Sequence, residues 1–235
     1  MFKSTDILVL ASLVAVTTLL FLLNLNMGDV KIGFVSVIDI LFGGTAENPI
    51  WSYTVESRLN RSLVAVSSGG ALALVGLVLQ VYFRNPLAGP GVLGISSGAS
   101  LGVAAVILGG ISLKSFMGNV GMISAGLMGS IVVLFLLLVL SRVIKQAVTL
   151  LVVGLMFGYF TGSLIDVLFQ WANEADTREY VIWGLGSFDN LEGRQGWYYW
   201  IALIGISLVS VLLIKPLNGL ILGETYARSL GIDLR

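Results

Sequence analysis

Residues 84–102 read RNPLAGPGVLGISSGASLG, and the interpretation of the whole chain depends on this stretch. Three of its glycines, Gly89, Gly91 and Gly94, satisfy the G-x-G-x-x-G pattern of dinucleotide-binding loops. Residues 94–98 satisfy G-x-S-x-G, the nucleophile elbow of serine hydrolases, and residues 98–102 satisfy it again. The rest of the chain must decide whether the stretch binds a nucleotide, carries a nucleophile or does neither.

The composition indicates a membrane protein without the usual catalytic side chains. Of 235 residues, 57% are hydrophobic and 11% charged, and the mean hydropathy is +0.97. An average soluble domain has about 25% charged residues, so the expected solvent is a lipid bilayer. Cysteine and histidine are both absent, which excludes disulfides, thiolate metal sites and the standard serine triad. The net charge is zero, so nothing suggests nucleic acid, and we expect neither a metal nor a cofactor.

Six apolar segments are long enough to cross a bilayer, which needs about 20 helical residues. The predicted fold is therefore all-α, a polytopic membrane helix bundle in a single domain. The first segment has no small-residue cleavage site after it and is interpreted as a retained helix rather than a secretory signal. The predicted spans are 7–23, 62–83, 92–110, 117–140, 146–169 and 197–214.

The charges of the connecting stretches predict the orientation. Basic residues outnumber acidic ones in one set of connections, 1–6, 84–91, 141–145 and 215–235. Acidic residues predominate in the other set, 24–61, 111–116 and 170–196. Because basic residues are enriched in cytoplasmic loops, we expect the first set and both termini to lie on the cytoplasmic side.

Glycines recur every four residues inside two of the predicted spans, at Gly94, Gly98 and Gly102 and again from Gly154 through Gly158 to Gly162. Such small-residue faces let helix backbones approach closely, and this packing role is favoured over a glycine-lined substrate path, although the two are compatible. Asp166 is the only acid within a predicted span. Acids in membrane spans are functional candidates, but Asp166 is near the end of its helix and within reach of the interface.

Neither enzyme motif has the context that its chemistry requires. A dinucleotide loop follows a strand and needs an acid about 20 residues on, but an apolar helical segment precedes this one. No Asp or Glu occurs between Glu56 and Asp166. Ser96 or Ser100 would need a base, and histidine is absent. Pro86 disfavours helix at Asn85, so the stretch is interpreted as a tight loop between two spans.

Beyond these patterns, the sequence resembles the permease subunits of ABC importers for iron-siderophores, haem and cobalamin. The similarity runs from about residue 30 to the last residue. The stretches that carry it, in order, are SRLNR at 57–61, a glycine-rich second span ending in Gln80, RNPLA at 84–88, GISSGA at 94–99, PLNGL at 216–220 and LGETYARSLG at 222–231.

The resemblance implies roles for residues on both sides of the membrane. On the outside, Arg58 and Arg61 match two arginines that pair with glutamates of a substrate-binding protein; their alternative role is to anchor a helix at the interface. On the inside, Asn85, Pro86 and Leu87 match the cytoplasmic gate, which would constrict the exit together with 141–149. In the fifth span, Gly154, Gly158 and Gly162 are the candidates for lining the pathway.

Residues 216–231 resemble the paired short helices that dock into the ATP-binding subunits. Pro216 can start a helix and Gly231 can end one, and the stretch is amphipathic and too short to span a membrane. The alternative is a surface helix lying on the bilayer. The residues assigned to coupling are Asn218, Gly223, Glu224, Arg228, Ser229, Leu230 and Gly231.

The resemblance predicts a permease that performs no covalent chemistry and imports a ferric siderophore by alternating access, with haem or cobalamin as alternative cargoes. Its expected partners are ATP-binding cassette subunits, a periplasmic or lipoprotein substrate-binding protein and a second permease copy, in a bacterial inner membrane. Because the family usually has ten spans and this sequence has six, we expect it to be an incomplete permease domain. An ion-coupled secondary transporter is the rival prediction, although it would want intramembrane carboxylates. An intramembrane enzyme is a weaker rival, because the catalytic groups are missing.

Overall fold

The computed structural model describes residues 4–44, 48–110, 113–188, 194–221, 223, 229 and 231. Helices account for most of these residues, and no strand occurs among them, which confirms the predicted all-α fold. In chain order the helices are α1 (Ser4–Asn26), α2 (Phe34–Leu41), α3 (Pro49–Phe83), α4 (Ile95–Ile107), α5 (Leu113–Val143), α6 (Ala147–Trp171), α7 (Glu174–Leu185) and α8 (Arg194–Ile221).

Among the described residues, five helices are long and apolar enough to cross a membrane: α1, α3, α6, residues 121–143 of α5 and residues 199–221 of α8. They coincide with five of the six predicted spans. The helix α3 begins well before the predicted start at residue 62, so both arginines of the SRLNR stretch lie within it. Its end at Phe83 agrees with the predicted stop before Asn85 and Pro86.

The predicted span over 92–110 is wrong as a full-length helix. Only α4 forms there, and its 13 residues reach about 20 Å, less than the roughly 30 Å of a bilayer core. Left-handed glycines flank it, since Gly94 at its N-cap has φ 74° and Gly110, three residues beyond its last residue, has φ 65°. These left-handed conformations favour glycine and interrupt helical hydrogen bonding. Apolar length alone did not distinguish this interrupted segment from a span.

Two short helices, α2 and α7, lie in stretches that were predicted only as connections. The N-terminus of α7 is capped by Asn173, whose Oδ1 accepts a hydrogen bond of 2.9 Å from the backbone N–H of Asp176. Glu174 and Asp176 in the first turn also suit the positive end of the helix dipole. The NEAD sequence at 173–176 is therefore a helix-start signal that could have predicted α7.

The chain divides into two compact units, each with its own core. In the first, formed by the described parts of 1–70 and 188–203, an apolar cluster joins α1, α2, α3 and the link between α1 and α2. Its buried members are Leu25, Ile32, Val37 and Val55. A second contact in this unit joins α3 to α8, where the Tyr199 hydroxyl lies 2.7 Å from Ser67 Oγ and 2.8 Å from Ser68 Oγ.

In the second unit, formed by the described parts of 71–187 and 204–235, α4 packs against α5, α6 and α7. Val103 and Ala104 of α4 are fully buried. On α7, the Tyr180 hydroxyl makes a long hydrogen bond of 3.5 Å to the backbone oxygen of Ser100, and burial raises the pKa of Tyr180. The short apolar helix thus lies in the core of this unit.

The last helix continues past the predicted start of the coupling segment. Pro216 lies inside α8, so the prediction that it starts a new helix is wrong. Proline in a helix removes one N–H donor, and here the loss leaves one acceptor, the carbonyl of Leu212, without its helical partner. The helix tolerates this loss five residues before its end at Ile221.

Candidate functional site

The RNPLA stretch forms a tight turn whose side chains hold its backbone. Directly after α3, Arg84 adopts a left-handed conformation with φ 49°, which turns the chain away from the helix axis. Asn85 then closes an Asx turn, because its Oδ1 accepts a 2.9 Å hydrogen bond from the N–H of Leu87. Gln80, one turn back in α3, donates from Nε2 to the carbonyl of Pro86 at 3.0 Å. The predicted tight loop is confirmed.

The three gate candidates occupy different positions in this turn. Asn85 is half-buried and fixes the turn, whereas Pro86 and Leu87 are exposed, Leu87 to 76%. The next residue, Ala88, is buried in a cluster with Phe83 and Leu93 and anchors the turn to the unit's core. The turn therefore presents one bulky apolar side chain on a fixed backbone. Such a side chain can obstruct a passage, so the gate role remains a prediction with a suitable geometry.

The three pathway glycines of α6 are not equivalent. A methyl group on Gly154 would lie 2.8 Å from the Cα of Leu93 and 2.9 Å from the carbonyl oxygen of Val92. On Gly158 it would lie 3.3 Å from the Oγ of Ser97, and on Gly162 it would meet nothing within 4 Å. Gly154 thus serves the close packing of α6 against the turn that precedes α4, and of these three glycines only Gly162 borders open space.

The repeated glycines of α4 also lie at close helix contacts, as predicted. A methyl group on Gly98 would lie 2.6 Å from the carbonyl oxygen of Gly129 on α5, and one on Gly102 would overlap the carbonyl of Ala125. One on Gly94 would lie 2.6 Å from the carbonyl oxygen of Gly154. The G-x-S-x-G matches arise from this packing, and Ser100 Oγ donates to the carbonyl of Ser96 in its own helix, at 3.2 Å.

A polar stripe runs along the exposed face of α6, and only its acid was noted in the sequence. Its members recur at intervals of four, three and four residues, which places them on one side of a helix. The Asp166 carboxylate has no hydrogen-bond or ion-pair partner within the described residues. The four exposed members are Tyr159, Ser163, Asp166 and Gln170.

The two arginines of α3 differ sharply in exposure. Arg58 is 7% exposed, and its guanidinium donates to the carbonyls of Leu25, Asn26 and Val30. Arg61 is exposed. Residues three apart on a helix are about 60° apart around its axis, which is enough to separate a buried position from an exposed one. The burial of Arg58 does not fit its predicted docking role, whereas the exposure of Arg61 does.

Of the predicted coupling segment, the structure describes the first part and three later residues. Asn218 is exposed near the end of α8. Gly223 and Gly231 both have positive φ, 111° and 77°, and Ser229 between them is helical and exposed. Glu224, Arg228 and Leu230 lie outside the described residues, so the predicted paired helices cannot be traced through them. No group of three or more acidic residues within the described chain could hold a metal ion.

Comparison with known proteins supports one family. The model of the FecCD transport family matches residues 16–235. The vitamin B12 import system permease protein BtuC of Citrobacter koseri is 34% identical over 194 residues, which cover 82% of this chain and 56% of that protein. BtuC of Salmonella newport is 36% identical over 178 residues, covering 75% of this chain and 53% of that protein. The chain thus spans about half the length of these relatives.

A solved structure gives the same assignment. A protein described as a metal-chelate type ABC transporter, in an inward-facing conformation, superposes with a TM-score of 0.75 at 25% identity. The match covers 96% of this chain and 68% of that one. Together with the membrane helices and the ordered motifs, these similarities establish that the chain belongs to the FecCD transport family.

Proposed function

We propose that this chain is the membrane permease part of an ATP-driven importer for a metal chelate in a bacterial inner membrane. The observation that carries the proposal is the family match over residues 16–235 on a chain whose long helices are apolar and exposed. The permease itself catalyses no covalent step. It provides the path, and ATP-binding cassette partners supply the energy.

Each part of the chain has a place in this mechanism. A substrate-binding protein docks outside, where Arg61 offers an exposed charge at the start of the membrane part of α3. Cargo passes between this chain and a second permease copy, along the α6 face that includes Gly162 and Asp166. Leu87 closes the inner end. The segment after α8, up to Gly231, docks into the ATP-binding subunits, whose closure is transmitted through it.

Two cargoes have specific support. A ferric siderophore is the cargo predicted from the sequence resemblance, and the solved relative is described as of the metal-chelate type. Cobalamin is favoured by the printed names of the curated relatives, which are vitamin B12 import permeases. Both are bulky metal chelates, so the same wide path serves either one. In importers with a separate binding protein, the choice between them resides largely in that partner.

The orientation is tested by cysteine labelling, because the native chain has no cysteine. Single variants Phe42→Cys, Ala175→Cys and Leu87→Cys place exposed thiols in three different connections. A membrane-impermeant maleimide, added to cells whose outer membrane has been removed and whose inner membrane is intact, should label Phe42→Cys and Ala175→Cys. It should label Leu87→Cys only after permeabilisation. Labelling of Leu87→Cys from outside would show that the proposed orientation is reversed.

The importer assignment is tested with its partners. The chain is co-expressed with a candidate ATP-binding subunit and a candidate binding protein, and assembly is measured by co-purification. Binding of radiolabelled ferric siderophore and cobalamin to the binding protein then identifies the cargo. Charge reversal at Glu224 and Arg228 should abolish co-purification of the ATPase. Uptake that continues without any ATPase and collapses when the proton gradient is removed would support the ion-coupled alternative instead.

A further inference from the structure

Arg58 is the one charged side chain of the described residues that is buried. Its guanidinium reaches out of α3 to the end of α1 and the link that follows it. Nη1 lies 3.2 Å from the carbonyl oxygen of Leu25 and 3.4 Å from that of Asn26, and Nη2 lies 2.7 Å from that of Val30. A single side chain therefore joins three backbone positions that are 28 to 33 residues away along the chain.

These acceptors are suited to a buried cation. The last four carbonyls of a helix lack intrahelical donors, and Leu25 and Asn26 are the last two residues of α1. The same end carries the negative pole of the helix dipole, which stabilises a positive charge. No carboxylate pairs with Arg58 within the described residues. The backbone of α1 and of the link thus replaces the acidic partner that a buried charge normally has.

Gly28 makes room for this arrangement. A methyl group on Gly28 would overlap Nη2 of Arg58 and lie 2.9 Å from Cζ. The backbone of Gly28 does not have the positive φ that would itself favour glycine. The absent side chain at 28 is therefore explained by the space that the guanidinium occupies. Gly28 and Arg58 form a matched pair across the link between α1 and α2.

A second polar contact lies one turn further along α3. Ser62 is 5% exposed, and its Oγ lies 3.0 Å from the Asn24 Oδ1 of α1 and 2.8 Å from the carbonyl oxygen of Arg58. The hydroxyl has one proton, so these two acceptors share it. Leu25 of α1 and Val55 of α3 also belong to one apolar cluster. The end of α1 is thus attached to α3 by both polar and apolar contacts.

We infer that Arg58 is a positioning residue that clamps the end of α1 and the 27–30 link onto α3, so that Arg61 alone carries the exposed docking charge. The two arginines of SRLNR then have separate roles, although their spacing suggests a pair. The clamp half of this inference is independent of transport. The docking half rests on the proposed function, because it requires a binding-protein partner.

A double-mutant cycle tests the clamp in the detergent-solubilised chain. Arg58→Gln and Gly28→Ala should each lower Tm by roughly 5 °C, because both remove the same hydrogen bonds. The double variant should be no less stable than the worse single variant, since its second change has nothing left to disrupt. Arg61→Gln is the matched control on the same helix and should lower Tm much less, because Arg61 is exposed. Additive losses in the double variant would overturn the clamp.

A conservative substitution keeps the test decisive if Arg58→Gln does not accumulate. Arg58→Lys retains the charge but replaces the guanidinium fork by one ammonium group, which cannot reproduce all three contacts. It should lower Tm clearly, and adding Gly28→Ala to it should cost less than Gly28→Ala costs alone. A Tm equal to that of the unmodified chain would show that the charge, and not the fork, matters at this position.

The docking half is measured as the salt dependence of binding to the substrate-binding protein, below the Tm of every variant. Arg61→Gln should flatten the dependence, since an exposed ion pair is screened by salt. Arg58→Gln should leave the salt dependence unchanged, even if it weakens binding by disordering the end of α1 and the 27–30 link. Equal flattening by both variants would overturn the division of roles. If the unmodified chain binds no such partner, the proposed function fails, while the Tm cycle still decides the clamp.

Discussion

Helices are held together in two different ways in two regions of this molecule. One region comprises the contacts of α4 with α5 and α6, and the other comprises the contact of α1 with α3. Around α4, glycines bring backbones together, as at Gly98 and Gly129. At the end of α1, a long side chain, Arg58, bridges backbones that stay apart. The first contact depends on the absence of side-chain atoms, and the second depends on the presence of one particular set of donors.

The two regions tolerate different substitutions. Water drives apolar helices together in soluble proteins, but lipid provides no such force between membrane helices, so close packing and interhelical hydrogen bonds must hold them. A glycine contact is broken by adding a methyl group. The contact that Arg58 makes with the end of α1 is broken by removing the guanidinium nitrogens. It also depends on Gly28, which makes room for them.

The largest effect is expected at Gly129 of α5. A methyl group there would overlap the carbonyl of Gly98 and approach the N–H of Gly102 to 3.2 Å. Both obstacles are backbone atoms of a buried helix, so neither can move without shifting α4. We expect Gly129→Ala to lower the free energy of unfolding by about 3 kcal/mol. Denaturant titration of the chain in detergent micelles measures the loss.

Gly69 of α3 provides the control for that variant. It is also a helical glycine, but a methyl group on it would meet nothing within 4 Å. Because alanine has the better helix propensity, Gly69→Ala should be neutral or stabilise by up to about 1 kcal/mol. A similar destabilisation from both variants would mean that helix packing is not the role of Gly129, and the contrast between the two regions would lose its basis.

Sequence patterns predicted the contacts of α4 better than the contact between Arg58 and the end of α1. The four-residue glycine repeat directly indicates backbone contact, and Gly98 and Gly102 confirm it. Nothing local distinguishes Arg58 from Arg61, because their difference depends on where the end of α1 lies in space. The partner glycine, Gly28, is 30 positions from Arg58 in the chain. Only the tertiary structure brings them together.

The ends of helices were also difficult to predict. The apolar stretch at 92–110 has the composition of a span, yet its helix α4 begins only after the left-handed Gly94 and ends before the left-handed Gly110. Pro216 has the residue type of a helix start, yet α8 contains it. Residue type alone therefore did not locate these helix ends, which depend on the backbone conformation that each glycine or proline adopts in the folded chain. The five other spans were predictable because each contains a long, uninterrupted apolar helix.

The next largest effect is expected at Gly154 of α6, and Gly162 of the same helix provides the comparison. Gly154→Ala would bring a methyl group to 2.8 Å from the backbone of Leu93, whereas Gly162→Ala would meet open space. We expect Gly154→Ala to cost about 2 kcal/mol of unfolding free energy and Gly162→Ala to cost nothing measurable. Thermal unfolding of both variants under one condition provides the comparison.

Measuring cargo uptake tests whether Gly162 borders the transport path. If Gly162 borders the path, a larger residue such as Gly162→Leu should reduce cargo uptake in the assembled importer while Tm stays unchanged. A loss of Tm with Gly162→Leu would instead indicate that a neighbouring helix packs there. Unchanged uptake at unchanged Tm would remove Gly162 from the pathway.

The smallest effect is expected where α3 meets α8. Tyr199→Phe removes a hydroxyl that contacts Ser67 and Ser68 and donates to the carbonyl of Val64 at 3.1 Å. Ser67 keeps its own carbonyl acceptor, Leu63, at 2.7 Å, so one serine of the pair stays satisfied. The expected loss is therefore about 1 kcal/mol, typical of an interhelical hydrogen bond in a membrane. Ser68→Ala supplies the cycle partner, and in the Phe background its cost should shrink because Ser68 has already lost its contact. A loss above about 3 kcal/mol would place this cluster with the glycine contacts as a principal determinant of the fold.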